Sequence, residues 1–429
     1  MRVAFTTLGC KVNQYETENL SELFAADGFE VVDPSDFADV YVINSCTVTA
    51  SGDKKTRQLL RRLKKQNPAA VAALTGCFPQ AFPDAAEAIP EADVITGSSN
   101  RGDVLPAVKE ALAAGKRVVR ILPHERGEKF EHMSVTGLRG RTRAFVKIED
   151  GCDRYCSYCI IPKARGPVRS KPLNEIREEL SALAENGYRE VVLVGVNLSS
   201  YGKEIGLRLI DAVQAACRTE GIRRVRLGSL EPELLTAEDI RAMAAEEKFC
   251  PQFHLSLQSG CDKTLREMNR HYDSAEYARI VSDIRAAFEN PSITTDVMVG
   301  FAGETEADFE ESLAFVQKIG FAKVHVFSYS RRPGTSADKR SGQVPSSVKE
   351  ERSRRMIEAT DATRKQFLLG QLGKTEEVLV ETTKSPLGYE GFTKNYTPVY
   401  VNCDPALCGN VVKMRLGAVL EGHCVGTLL

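Results

Sequence analysis

Two separate series of short β-branched runs, alternating with helical stretches, constrain this chain more than any other feature. In the first series, strands are expected over 2–9, 40–46, 69–77 and 93–97, with helices over 16–27 and 54–65. Such alternation makes βαβ units, whose strands run parallel beneath covering helices. Residues 121–140 read as a linker, punctuated by Pro123, Gly127, Gly137 and Gly140. The second series places strands over 143–148, 190–197, 224–229, 253–258, 294–300 and 323–329, with helical patterns such as 173–186 and 308–319 between them. Six βα units make most of a barrel but fall short of the eight that close one. The barrel is therefore expected to be open on one side, with room for a large substrate. After a Pro/Gly/Ser-rich loop over 331–347 and a long charged helix over 348–372, the pattern changes. Strand-like runs over 377–381, 398–402 and 411–416, joined by turns, describe a small all-β unit of a size that can fold alone.

Charge and cysteine usage narrow the function. The 57 basic and 58 acidic side chains nearly cancel, so any polyanion must be met by a local basic patch. The N-terminal apolar run is too short for a signal segment, and no run of about 18 apolar residues exists. A cytoplasmic chain with no membrane association is the expectation. Twelve cysteines in such a chain argue for metal binding, catalysis or burial rather than disulfides.

Three of the cysteines form Cys152-x3-Cys156-x2-Cys159, directly after the first strand of the second series. Cubane iron–sulfur clusters normally take four thiolates. Three leave one iron without a protein ligand, and an open metal position can bind a small molecule. The carboxyl ends of barrel strands are where such sites collect. A redox site, a zinc site or buried thiols are the alternatives. The spacing, with Tyr158 before the last cysteine, resembles that of the radical S-adenosylmethionine (SAM) superfamily. That resemblance implies a [4Fe–4S] cluster whose open iron chelates SAM, with cleavage of SAM to a 5′-deoxyadenosyl radical and Tyr158 against the adenine. Further SAM contacts are then expected from strand ends: Gly195 and Asn197, Ser229 and Glu231, Ser256 and Gln258 (alternating with His254 along one strand), and Asp296. Polar groups that merely fill the barrel are the competing reading of each.

Cys10, Cys46 and Cys77 each fall at or just past the end of a first-series strand, about one βαβ repeat apart. Parallel strands bring all three to one sheet edge, where open α/β sheets bind ligands. Three thiols there could hold a second cluster; simple burial is the alternative for any one of them. Cys217, Cys250, Cys261, Cys403, Cys408 and Cys424 show no such register and read as structural.

With both cysteine sets and the β tail in this order, the chain resembles the radical SAM methylthiotransferases over essentially its full length. The segment Leu8-Gly-Cys10-Lys-Val-Asn-Gln-Tyr-Glu is similar to the branch of that family acting on N6-threonylcarbamoyladenosine. The resemblance implies an α/β chain with a Rossmann-like cluster domain over 1–122, a partial (β/α)6 radical SAM barrel over 138–368, and an all-β, OB-like TRAM domain over 371–429. It implies two [4Fe–4S] clusters, two uses of SAM, the tRNA anticodon loop as partner, an external electron donor and a sulfur source. The implied reaction methylates a sulfur at the first-domain cluster and transfers the methylthio group to adenine C2 at position 37. Phe78-Pro79, Lys163 and Lys394 depart from the family pattern, and none is a cluster cysteine. For RNA, the expected surfaces are the basic stretch Lys54, Lys55, Arg57, Arg61, Arg62, Lys64 and Lys65, the Arg139/Arg141/Arg143 set, and Tyr389, Phe392, Lys394, Tyr396 and Tyr400 in the tail. Methylthiolation of isopentenyl-adenosine or of a ribosomal-protein side chain, and a non-catalytic iron–sulfur RNA-binding protein, are the rivals.

Overall fold

A computed structural model describes residues 1–429. The first series forms a six-stranded, all-parallel sheet. From one edge to the other its strands are Glu30–Val32, Arg2–Thr7, Val40–Ser45, Val71–Gly76, Val94–Thr96 and Val118–Arg120. Alternate residues feed two separate cores. Tyr41, Ile43, Leu60, Leu63 and Leu74 pack on one face. Leu20, Phe24, Val40, Val42 and Val108 pack on the other. Both faces are thus covered by helices, which is why Val40–Ser45 is buried throughout and reads as one apolar run.

Several boundaries differ from the sequence expectation. The helix expected over 16–27 is Lys11–Ala26, and the one expected over 54–65 is Ala50–Gln66. Thr49 caps the latter by accepting from the Gly52 amide. The two edge strands and the helix Val104–Ala114 went unforeseen. Edge strands of three residues carry too little periodicity to stand out.

The second series gives six strands in chain order: Arg143–Lys147, Glu190–Val194, Arg224–Leu227 continuing as Ser229–Leu230, Gln252–Leu255, Ser292–Val299 and Lys323–Ser328. Neighbours pair in parallel, and the first and last strands do not pair with each other. The barrel is therefore open, as expected. The long helix is Ser346–Leu369, and the tail closes into a five-stranded barrel. Its strands Gly388–Thr393 and His423–Leu428 were missing from the sequence reading. No helix is long and apolar enough to cross a membrane.

The three parts are held by buried charge. Glu16, on the first-domain helix, accepts from Lys147 (2.8 Å) and Arg165 of the barrel and pairs with Arg101 at 2.9 Å. Asp150 joins the same group through Lys147 (2.6 Å) and Arg169 (3.3 Å). Burial pushes the Glu16 carboxyl up, but Arg101, Arg165 and Lys147 more than offset this and hold it at about 2. A depressed carboxylate stabilises the fold above its unfolded pKa of 4.5 and loses that contribution as pH falls through about 2. The interval corresponds to about 3 kcal/mol. In denaturant unfolding of the metal-free chain, the stability difference between wild type and Glu16→Gln should be largest near neutral pH. It should shrink as pH drops below about 4.5. A difference independent of pH would show that Glu16 is not held ionised.

The β barrel docks on the amino ends of the larger barrel's strands. Arg224 donates to the Phe392 and Glu377 carbonyls (3.0 and 2.7 Å), and Arg226 to that of Lys394 (2.9 Å). Phe392 and Tyr396 stack on each other at 4.5 Å and against the Arg143 guanidinium. Phe392 and Tyr396, expected to stack on RNA bases, here meet arginines of the larger barrel. Glu190 alone faces Arg224 and Arg226 from the larger barrel, and the tail's carbonyls and aromatics supply their remaining contacts and those of Arg143. Tyr400 is likewise buried, stacked on His423 at 4.2 Å, and Lys394 donates to the Glu247 carbonyl.

Candidate functional site

The first cysteine set sits where three adjacent parallel strands end. Thr7 pairs with Asn44 and Ser45 with Gly76, so Cys10, Cys46 and Cys77 all lie just beyond the ladder at one sheet edge. The chain turns tightly there. Gly9 has φ +127°, and a Cβ on it would lie 2.9 Å from that of Cys46. The Cys10 thiol donates to Asn13 Oδ1 at 3.1 Å, and the Val48 amide lies 3.5 Å from Cys46 Sγ. Burial pushes the Cys46 thiol up to about 12, and Cys77 adds to the effect. Burial holds Cys46 in its thiol form until a bound metal displaces the proton.

The second set lies in a loop after Arg143–Lys147 and the two-residue strand Glu149–Asp150. Gly151 is left-handed at φ +89°, and a Cβ there would strike the Pro167 carbonyl. The loop is pinned by backbone bonds: the Cys152 amide to the Gly166 carbonyl (3.0 Å), the Ser157 amide to Met268 (2.9 Å) and the Ala337 amide to Ser157 (2.7 Å). Burial pushes the Cys159 thiol up to about 12, with Cys156 adding to it, and raises Cys152. No group of three or more His, Cys, Asp or Glu converges on a point suited to one metal ion. A cubane binds each thiolate to a different iron, so it takes a more open set than a single ion does.

Each set has one buried arginine on a sulfur. Arg165 Nε donates to Cys77 Sγ at 3.1 Å, and Arg270 Nη1 to Cys156 Sγ at 3.2 Å. Neither arginine was singled out from the sequence, because each is brought in from a distant segment. Arg270 is held by the Glu231 carboxylate (3.2 Å) and the Ser256 carbonyl (3.1 Å). The Glu231 carboxylate, expected on SAM, here orients Arg270, together with the Ser256 main chain. Arg270→Met should lower 5′-deoxyadenosine formation by about 10- to 100-fold, the range for second-layer ligands of a metal site. Lys should restore it only in part, since it lacks the planar fork. Unchanged formation in Arg270→Met would show that the sulfur contact is incidental.

The remaining expected residues divide. Tyr158 packs edge-on to Phe301 at 6.4 Å, in an apolar cluster with Met298 and Tyr329. A Cβ on Gly195 would meet that of Glu149 at 3.0 Å, so the glycine makes room for Glu149. The Asn197 amide nitrogen bonds to Ser200 Oγ at 2.8 Å, leaving its buried Oδ1 unpartnered. The strand carrying His254 ends at Leu255, so the alternation expected through Ser256 and Gln258 does not continue. Gln258 instead turns at φ +67° and bridges Val297. His254 pairs with Asp296 at 3.3 Å.

The two sets adjoin. Cys77 and Ala81 pack directly on Ile160 and Ala164, immediately after Cys159. Cys10 opens into a cavity of about 550 Å³ that runs along the barrel lumen past Gly195, Ser229 and Asp296 to Tyr396. Of the basic helix, Arg57 lies over Phe78, and Arg61 and Lys64 pair with Glu91 and Asp93; Lys54, Lys55, Arg62 and Lys65 are exposed. Arg332 ties the helix start to the barrel through Thr47 and Asp53, both at 2.7 Å.

Comparison with known proteins agrees with this layout. Residues 146–316 match the radical SAM superfamily, and residues 2–97 match the uncharacterized protein family UPF0004. The chain is 36% identical to the threonylcarbamoyladenosine tRNA methylthiotransferase MtaB of Bacillus subtilis, covering 96% of this chain and 93% of that one. It is 38% identical to the Aquifex aeolicus protein of the same name, covering 89% and 93%. It is also 34% identical to the tRNA-2-methylthio-N(6)-dimethylallyladenosine synthase of Pelotomaculum thermopropionicum, covering 98% and 96%. Among solved structures it is similar in fold to the radical SAM methyltransferase TsrM of Kitasatospora setae, with a TM-score of 0.57 at 13% identity, covering 79% and 74%. Identity above 30% over nearly whole chains, with both cysteine sets in matched regions, establishes that the chain belongs to the radical SAM methylthiotransferases that act on tRNA.

Proposed function

We propose that this enzyme converts N6-threonylcarbamoyladenosine at position 37 of tRNA to its 2-methylthio derivative, using two [4Fe–4S] clusters. Units 1–122, 138–368 and 371–429 would serve as sulfur-donor domain, radical domain and RNA-binding domain. The observation that carries the reading is the convergence of the two cysteine trios at the Cys77–Ile160 contact, with Cys10 opening into the barrel lumen.

The residues fit the two clusters. Each trio offers three thiols and leaves one iron open. Each has a buried guanidinium donating to one sulfur, a contact suited to a metal-bound sulfur. Cys152, Cys156 and Cys159 would hold the SAM-binding cluster, and Cys10, Cys46 and Cys77 the sulfur-donor cluster. When bound, SAM supplies the 5′-deoxyadenosyl radical that an unreactive aromatic C–H requires. The chain positions the partners and excludes water. Arg270 and Arg165 orient one thiolate each, and Tyr158 walls the radical site against Phe301. The exposed cations Lys54, Lys55, Arg62 and Lys65, on the helix that follows Cys46, supply phosphate contacts. An anticodon-loop base is unpaired and can be splayed into a pocket.

Mass spectrometry of tRNA nucleosides from cells lacking the protein tests the substrate. Loss of 2-methylthio-N6-threonylcarbamoyladenosine, with the unmodified precursor accumulating, is expected. Loss of the dimethylallyl counterpart alone would assign the other substrate.

A further inference from the structure

The lumen cavity is unevenly charged. Lys11, Arg141, Arg143, Arg226 and Lys323 line it, against Asp296 as its one acid, and Asp296 is paired with His254. Two of the cations are already occupied: Arg143 by Glu381 at 2.8 Å, Arg226 by Glu190 at 3.0 Å. Lys11, Arg141 and Lys323 have no acidic partner and no side-chain hydrogen bond, and the first two flank the Phe145 ring next to Cys10, at 6.0 and 5.1 Å from its centroid. Gln14 lies one helical turn after Lys11, on the same face of Lys11–Ala26. Gln14 lines the same cavity, and its Oε1 is buried without a donor. Lys11 and Arg141 thus stand beside Cys10 without an acidic partner, and an anionic group entering the lumen would meet both.

We infer that Lys11 and Arg141 bind the carboxylate of the N6-threonylcarbamoyl group while Gln14 accepts one of its N–H or O–H donors, so that these three residues set the choice of nucleoside. The inference rests on the substrate reading above and deepens it. An N6-threonylcarbamoyl group carries one carboxylate together with ureido N–H and hydroxyl donors, matching the three vacancies in type. A dimethylallyl group has neither charge nor donor and would give none of the three a partner. Placement agrees as well. Adenine C2 and C6 flank the same ring nitrogen, so whatever holds the N6 substituent must sit beside the sulfur donor, and Lys11 follows Cys10.

The test uses the full chain with both cysteine sites reconstituted. Three anticodon stem-loops differ only at N6 of the target adenosine: threonylcarbamoyl, its threonine-amide counterpart lacking the charge, and dimethylallyl. Wild type should favour the carboxylate over the amide by about 10- to 100-fold in kcat/KM, mostly through KM, as expected for a charge-assisted contact. In Lys11→Met that ratio should collapse towards one, with the amide substrate little affected, and Lys11→Arg should retain most of it. Arg141→Gln should reduce the ratio as well. It decides the matter if Lys11→Met loses iron at the neighbouring cysteine. Equal losses on all three substrates would overturn the inference and indicate phosphate contacts. A wild type that modifies the threonylcarbamoyl substrate, with a carboxylate preference unchanged in both variants, would overturn the inference alone. A wild type that modifies only the dimethylallyl substrate would overturn the substrate reading and the inference with it.

Discussion

Replacing Cys10, Cys46 and Cys77 together by Ala should abolish methylthiolation while 5′-deoxyadenosine formation from SAM continues. Iron per chain should fall from about eight to about four, one cubane of two. The two trios hang on separate scaffolds. The first sits at the ends of three strands of one sheet, and the second in a loop pinned by Met268, Gly166 and Ala337 of the barrel side. Ala keeps the Cβ of position 77 against Ile160 and Ala164 and gives up only the sulfur and its contact with Arg165. Loss of all iron, or of SAM cleavage, would mean that the sites are not independent.

Arg165→Met should destabilise the chain by about 3–5 kcal/mol, the cost of removing one partner from a buried charge group. Arg165 is 1% exposed. It serves Cys77, Glu16 (3.1 Å to Oε2) and Asp150 (3.4 Å) at once, across the junction of first domain and barrel. Without it two buried carboxylates keep fewer cations, and the sulfur loses its donor. Lys has one ammonium and cannot reach all three, so Arg165→Lys should recover only part of the stability. Denaturant unfolding of the metal-free chain measures both. A loss below about 1 kcal/mol would place Arg165 among side chains that merely fill space.

The cysteine trios were legible in the sequence because cysteine is distinctive and strand ends can be read from β-branched runs such as Val40–Ser45. The open barrel followed from the number of βα units. The arginines on the sulfurs were not legible. Arg165 and Arg270 look like any surface arginine until the fold brings Glu16 and Glu231 to them from distant segments. The contacts of the tail aromatics were not legible for a similar reason. Composition alone cannot tell a face that meets RNA from one that meets Arg143 and Arg226, and Tyr396 meets both arginines. The start of helix Lys11–Ala26 was placed late because its first turn is polar and faces a cavity and a neighbouring domain rather than a core of its own.

The cooperation of the two sites on one base is tested most directly with anticodon stem-loop RNA carrying N6-threonylcarbamoyladenosine deuterated at C2. The RNA is given to the reduced, reconstituted enzyme with SAM. The expected result is one deuterium in 5′-deoxyadenosine for each 2-methylthio product formed, with no product from the Cys10/Cys46/Cys77→Ala chain. Deuterium-free 5′-deoxyadenosine accompanying product, or product formed without the first-domain cysteines, would contradict it.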